Sequence, residues 1–182
     1  MSLPMPAIPA LLSLLLLGLS ACASTSPARS TAPPARDLQM AQKVPVLDLA
    51  PARAPAQAQT DKSAPLRFAD SVTVSLTPDT QGQWSSWDTD FDRWRLDLHS
   101  PGAASLNLHF SEMRLPQGAR LMLYAPAKPA QAVVLTAGDN KAHGAYWTPQ
   151  IPGDTLRMDL LLPRSLKKTV PLRLETVNIA WP

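Results

Sequence analysis

The chain has 182 residues, 17 Lys and Arg against 14 Asp and Glu, a formal charge of +3, 20 prolines and a single cysteine. Its basic residues are scattered, with Lys167-Lys168 the only adjacent pair, which excludes the concentrated basic face that nucleic-acid binding needs. One cysteine excludes an internal disulfide, so a hydrophobic core must hold any folded part together.

The first element is an apolar run from Leu11 to Leu17, broken only by Ser13 and closed by Leu19-Ser20-Ala21-Cys22. Small residues before the cysteine and the polar Ser24-Thr25-Ser26 after it form the pattern of a bacterial lipoprotein signal. The pattern predicts that residues 1–21 are a signal peptide and that the mature chain starts at Cys22, acylated with palmitate-type chains. Two or more acyl chains would anchor it stably to a membrane of the cell envelope. The run is too short for a spanning helix, which needs about 20 apolar residues. Residues 1–10 lack the usual Lys or Arg of a signal. Ala23, in place of Asp, resembles the enterobacterial sorting pattern for the outer membrane.

Residues 22–64 are rich in Ala, Pro, Ser, Thr and Gln, with Pro27, Pro33, Pro34, Pro45, Pro51 and Pro55 spaced along them. Proline fixes φ and removes a hydrogen-bond donor, which bars helices and central strands. The segment reads as a flexible, disordered tether. Val44-Pro-Val-Leu-Asp-Leu49 is an apolar island within it. Composition favours a chance cluster over a docking strand.

From residue 65 to 182 the hydrophobic period is two. Leu66, Phe68, Val72, Val74 and Leu76 share one phase. Trp94, Leu96 and Leu98 alternate with Arg93, Arg95 and Asp97, and Leu106, Leu108 and Phe110 with Ser105, Asn107 and His109. Leu156, Met158, Leu160 and Leu162 alternate with Arg157 and Asp159. Such alternation predicts strands with one buried and one wet face. Val170, Leu172 and Leu174 are out of phase with Val177, Ile179 and Trp181, which predicts a β-bulge near Glu175-Thr176. Pro-Gly turn signals such as Ser100-Pro-Gly and Ile151-Pro-Gly-Asp separate the runs. The expected fold is all-β, an antiparallel, jelly-roll-like β-sandwich preceded by the linker.

Three segments carry a resemblance. They are residues 100–110 (SPGAASLNLHF), residues 115–124 (LPQGARLMLY) and residues 139–149 (DNKAHGAYWTP) with Pro152-Gly-Asp154. Their order and spacing resemble the N-terminal pro-region of secreted bacterial serine proteases of the lysyl endopeptidase type. The resemblance runs from about Leu66 to Ile179 and implies a β-rich pro-domain. In that family a trypsin-like catalytic domain follows, whereas this sequence ends at Pro182. The expectation is therefore a stand-alone, pro-domain-like lipoprotein, and the family's catalytic residues have no counterpart to be carried over.

Among candidate sites, the histidines are His99, His109 and His143, and no G-x-S-x-G elbow accompanies them. His99 and His109 fall on predicted wet faces. His143 lies in a loop with Asp139, Asn140, Tyr146 and Trp147. Loops on rigid scaffolds often carry function, and this one is the best candidate for binding. The structural alternative, which is favoured, has Trp147 capping the core and His143 bonded to backbone. Asp88-Thr-Asp-Phe-Asp92 mimics the start of a calcium loop, but Arg93 and His99 stand where the pattern requires Gly and Glu. An acidic turn is the expectation there, with no metal and no cofactor. Trp84 and Trp87 sit in a polar stretch, either as exposed binding aromatics or closing one end of the sandwich.

These readings combine into a non-catalytic interaction module, membrane-tethered at Cys22, that binds a protein partner in the envelope, a serine protease being one candidate. The alternative is a carbohydrate- or cell-wall-binding module, provided that Trp84, Trp87, Tyr146 and Trp147 share one face.

Overall fold

The computed structural model describes residues 43–52 and 69–181. The expected signal, Cys22, most of the expected tether, and Leu66 and Phe68 of the first expected strand lie outside the described residues. Among the described residues, no helix is long and apolar enough to cross a membrane.

The strands are β1 (Val46–Asp48), β2 (Ala69–Leu76), β3 (Gln83–Ser86), β4 (Phe91–His99), β5 (Ser105–Met113), β6 (Arg120–Tyr124), β7 (Val133–Leu135), β8 (Tyr146–Trp147), β9 (Ile151–Pro152), β10 (Thr155–Pro163) and β11 (Leu172–Ala180). They form two sheets. One has the order β1-β4-β10-β6-β7, with β3 also on β4; the other has β2-β11-β5-β8, with β9 also on β5. All pairings are antiparallel except β1 on β4, which is parallel.

The long alternating runs became the central strands because their apolar phase could be buried in register. Leu96 lies opposite Met158 and Trp94 opposite Leu160. Leu108 lies opposite Val177 and Leu106 opposite Ile179. All eight inward residues expected from the phase of the long runs are buried: Trp94, Leu96, Leu106, Leu108, Leu156, Met158, Leu160 and Leu172. They belong to one core to which both sheets contribute. Fully burying one such side chain is worth about 1.5–3 kcal/mol, so this shared core is what joins the sheets into a sandwich.

The phase slip in β11 is the expected bulge. The register shifts between Leu174 and Thr176 on both flanking strands, which lets Leu172, Leu174, Val177 and Ile179 all point inward and be buried. Glu175 is the residue skipped, and it is exposed.

Two expectations are corrected. The island Val44–Leu49 is not a chance cluster. It supplies β1, paired Val46 to Asp97 and Asp48 to His99. Val44 and Leu49 are buried, and the backbone amide of Leu49 donates to the His99 carbonyl at 2.7 Å. A parallel edge pairing needs no hairpin, so no local turn signal announces it.

The second correction concerns the wet face of β4 and β10. Arg93, Arg95, Asp97 and Asp159 point away from the core yet are buried, Asp159 completely. The register explains this. Asp97 lies opposite Arg157 and Arg95 opposite Asp159, so opposite charges meet across the ladder. Arg157 holds Asp97 through two bonds of 2.7 Å, which raises the Arg157 pKa. Arg93 forks onto both oxygens of Asp159, and the Tyr124 hydroxyl donates to the same carboxylate at 3.1 Å. Buried charges survive only when paired and hydrogen-bonded in this way. The pKa of Arg95 is lowered, first by burial and then by the neighbouring Arg93.

Candidate functional site

The loop from Asp139 to Thr148 runs along the edge of β5 opposite β11. Its entry is fixed by a short 3-10 turn, Ala137–Asp139, in which Asp139 accepts from the Thr136 backbone amide at 2.8 Å and Thr136 Oγ1 accepts from the Gly138 amide at 3.3 Å. Asn140 then acts like a strand partner: its Oδ1 accepts from the Leu115 amide and its Nδ2 donates to the Leu115 carbonyl, both at 2.9 Å. Gly144, at a φ of +81°, offers its carbonyl to the Met113 amide at 2.7 Å. A left-handed φ suits glycine alone at little cost. His143 Nδ1 accepts from the Ala145 amide at 3.1 Å, the backbone bond expected of it.

After this framework β8 pairs Trp147 with His109 and Tyr146 with Phe110. Successive strand residues point to opposite faces, and the pair splits accordingly. Tyr146 packs against the core, and burial, then the nearby Asp139 carboxylate, raises its pKa. Trp147 points outward and is 55% exposed. It therefore does not cap the core, as the sequence had favoured. Its indole stacks on the His109 ring with centroids 4.2 Å apart and planes at 21°. Glu175, the bulge residue, stands 3.9 Å from His109 Nδ1.

The other two candidate tryptophans lie elsewhere. Trp84 pairs with Trp94 across β3 and β4 and packs partly against the core, its indole nitrogen donating to the Pro78 carbonyl at 3.2 Å. Trp87 covers the Arg93 guanidinium, which sits 4.2 Å from its ring centre. Of the four aromatics, Tyr146 and Trp84 turn toward the core, Trp87 lies over the charged face of the first sheet, and Trp147 stands on the outer face of the second. The shared aromatic face that would support the carbohydrate alternative does not form.

The remaining candidates have local partners. His99 lies between Asp48 on β1, 2.9 Å from its Nδ1, and Asp154, 3.9 Å from its Nε2. Asp88 accepts from the Asp90 and Phe91 amides, both at 2.8 Å, while Asp92 faces Lys168 at 3.3 Å and Arg164 at 3.5 Å. That turn is held by its own backbone and by cations. Among the described residues, no group of three or more His, Cys, Asp or Glu side chains could hold a metal ion. Each of the three histidines has a carboxylate or a backbone amide beside it.

In the sequence His109 reads as a surface histidine and Glu175 only as a bulge position, and Asn107 and Asn178 carry no functional signal. Asn107 and His109 share the outward phase of β5, and Asn178 takes that phase on β11 only after the bulge is counted. The phase was legible; the pairing that brings these strands together was not.

A family model described as the lysyl endopeptidase N-terminal domain matches residues 38–177. That span begins before β1 and ends within β11, so it takes in both sheets. No solved structure matches the chain.

Proposed function

We propose that this chain, which belongs to the lysyl endopeptidase N-terminal domain family, is a non-catalytic module that binds a protein partner, with a trypsin-like serine protease as the first candidate. The observation that carries the reading is the family match itself: it is to an N-terminal domain, not a catalytic one, and it spans nearly all of the sandwich. The contact surface is assigned to Trp147 and two exposed residues of the same loop, Lys141 and His143. Large aromatics often dominate protein interfaces, and Trp147 is an exposed one on a rigidly framed loop. The same proposal includes attachment to the outer membrane through acylated Cys22, supported by the lipobox pattern of residues 19–22.

The test is to mix the purified chain with the catalytic domain of a lysyl-endopeptidase-type protease and to measure complex formation and inhibition. Trp147→Ala should keep the melting temperature and weaken the complex by tenfold or more. Tyr146→Ala should lower the melting temperature instead, because that ring packs on the core. An absence of complex with such proteases would remove the candidate partner, and hydrolysis of peptide, ester or glycoside by the chain alone would overturn the non-catalytic reading. For the anchor, intact mass should show acyl groups on Cys22 and their loss in Cys22→Ser; an unacylated wild-type chain would refute it.

A further inference from the structure

The outer face of the second sheet carries a row of uncharged polar side chains that partner binding at Trp147 does not use. Ser71 on β2 donates to Asn178 Oδ1 on β11 at 2.7 Å. Asn178 Nδ2 donates to Asn107 Oδ1 on β5 at 2.9 Å, and Asn107 Nδ2 donates to the Thr148 carbonyl. The row crosses the strands because Ser71, Asn178 and Asn107 occupy one register position. It also fixes which end of each amide is oxygen and which is nitrogen.

A primary amide has two N–H donors and two acceptor lone pairs. Within the row each asparagine spends one donor and one acceptor on its neighbours, which leaves one of each for a ligand. Beside the row lies an open cleft of about 540 Å³, also lined by Ser105 and Gln150. No residue lining it carries a charge. His109 and Trp147 occupy the next row of the same face.

The lining decides the ligand class. An anionic group would be met by Arg or Lys forks, and a largely apolar ligand by an apolar wall. Here the groups are neutral donors and acceptors beside an exposed indole. Adjacent strands set the residues that carry these groups about 4.8 Å apart, a spacing comparable to one pyranose ring. We propose that this cleft binds a neutral oligosaccharide, its hydroxyls bridging the amides of Asn107 and Asn178 between Ser71 and Gln150. The site differs from an aromatic platform of the kind expected of Trp84 and Trp87, and it goes beyond the partner-binding reading.

The experiment is a titration of the nitrogen-15-labelled full chain with cellohexaose, chitohexaose and maltohexaose, read by NMR at the side-chain amides. At least one sugar at millimolar concentration should shift the Asn107 and Asn178 resonances saturably. The double variant Ser71→Ala, Gln150→Ala touches no core residue and should weaken that sugar's binding about tenfold, as loss of a net hydrogen bond predicts, with an unchanged melting temperature. If none of the three sugars moves those amides, if the double variant binds as well as wild type, or if the protease domain moves them instead, the proposal is overturned.

Discussion

Arg93 and Asp159 meet as a forked ion pair between β4 and β10, with Asp159 wholly removed from solvent and Trp87 stacked over the guanidinium. The two residues face away from the hydrophobic core, so the sandwich has a second, charged stratum outside its first sheet. Removing one partner of a buried pair leaves a stranded charge, at a cost of about 3–5 kcal/mol. Asp159→Ala and Arg93→Ala should each lower stability by that amount in denaturant melts, and the apolar double replacement Arg93→Leu, Asp159→Leu should recover most of it. Equal losses in single and double variants would show that packing, not pairing, holds this face.

Tyr124 makes the same stratum sensitive to alkali. Burial, then the Asp159 carboxylate, pushes its pKa up to about 12 from an ordinary 10.0. The folded state therefore keeps a proton that the unfolded state has already released. This contribution is complete below pH 10 and is lost as pH rises from about 10 to about 12. The loss should be of order 2 kcal/mol. Tyr146, whose pKa is also raised, acts in the same direction. Stability curves between neutral and strongly alkaline pH should show a drop that is smaller in Tyr124→Phe. A flat wild-type curve would contradict the assignment.

The docked segment around β1 gives a prediction that separates its buried and exposed residues. Leu49 is buried, whereas Val46 is 54% exposed. Leu49→Ala should cost about 2 kcal/mol, and Val46→Ala should change stability by no more than about 0.5 kcal/mol. Thermal melts of the two variants decide it. Equal, negligible effects would mean that β1 adds little to the fold.

Two glycines with similar φ separate strain from crowding. Gly82 has a φ of +87°, and a Cβ there would lie 2.4 Å from Trp94 Nε1 and 2.8 Å from the Arg95 carbonyl oxygen. Gly102 has a φ of +79° with nothing within 4 Å. The left-handed conformation alone costs about 1–2 kcal/mol, and overpacking adds about 1–3 kcal/mol more. Gly102→Ala should show only the first cost and Gly82→Ala both. Similar melting temperatures for the two variants would place the contact with Trp94 in doubt.

By itself the sequence determined the all-β class, the burial of Trp94, Leu96, Leu106 and Leu108, and the bulge in β11. These follow from side-chain periodicity, a local property that any register must respect if one face is to leave water. The resemblance in residues 100–110, 115–124 and 139–149 likewise led to the family. What the tertiary structure alone decided is which strands are neighbours. That choice put Asp97 beside Arg157 and turned an expected wet face into a buried charged stratum. It brought the island at Val44–Leu49 onto β4, aligned Ser71, Asn178 and Asn107 from three distant strands, and sent Tyr146 inward while exposing Trp147. Pairing between strands far apart in sequence leaves no period in the sequence to read, because the partner that buries or exposes a polar side chain is supplied by another part of the chain.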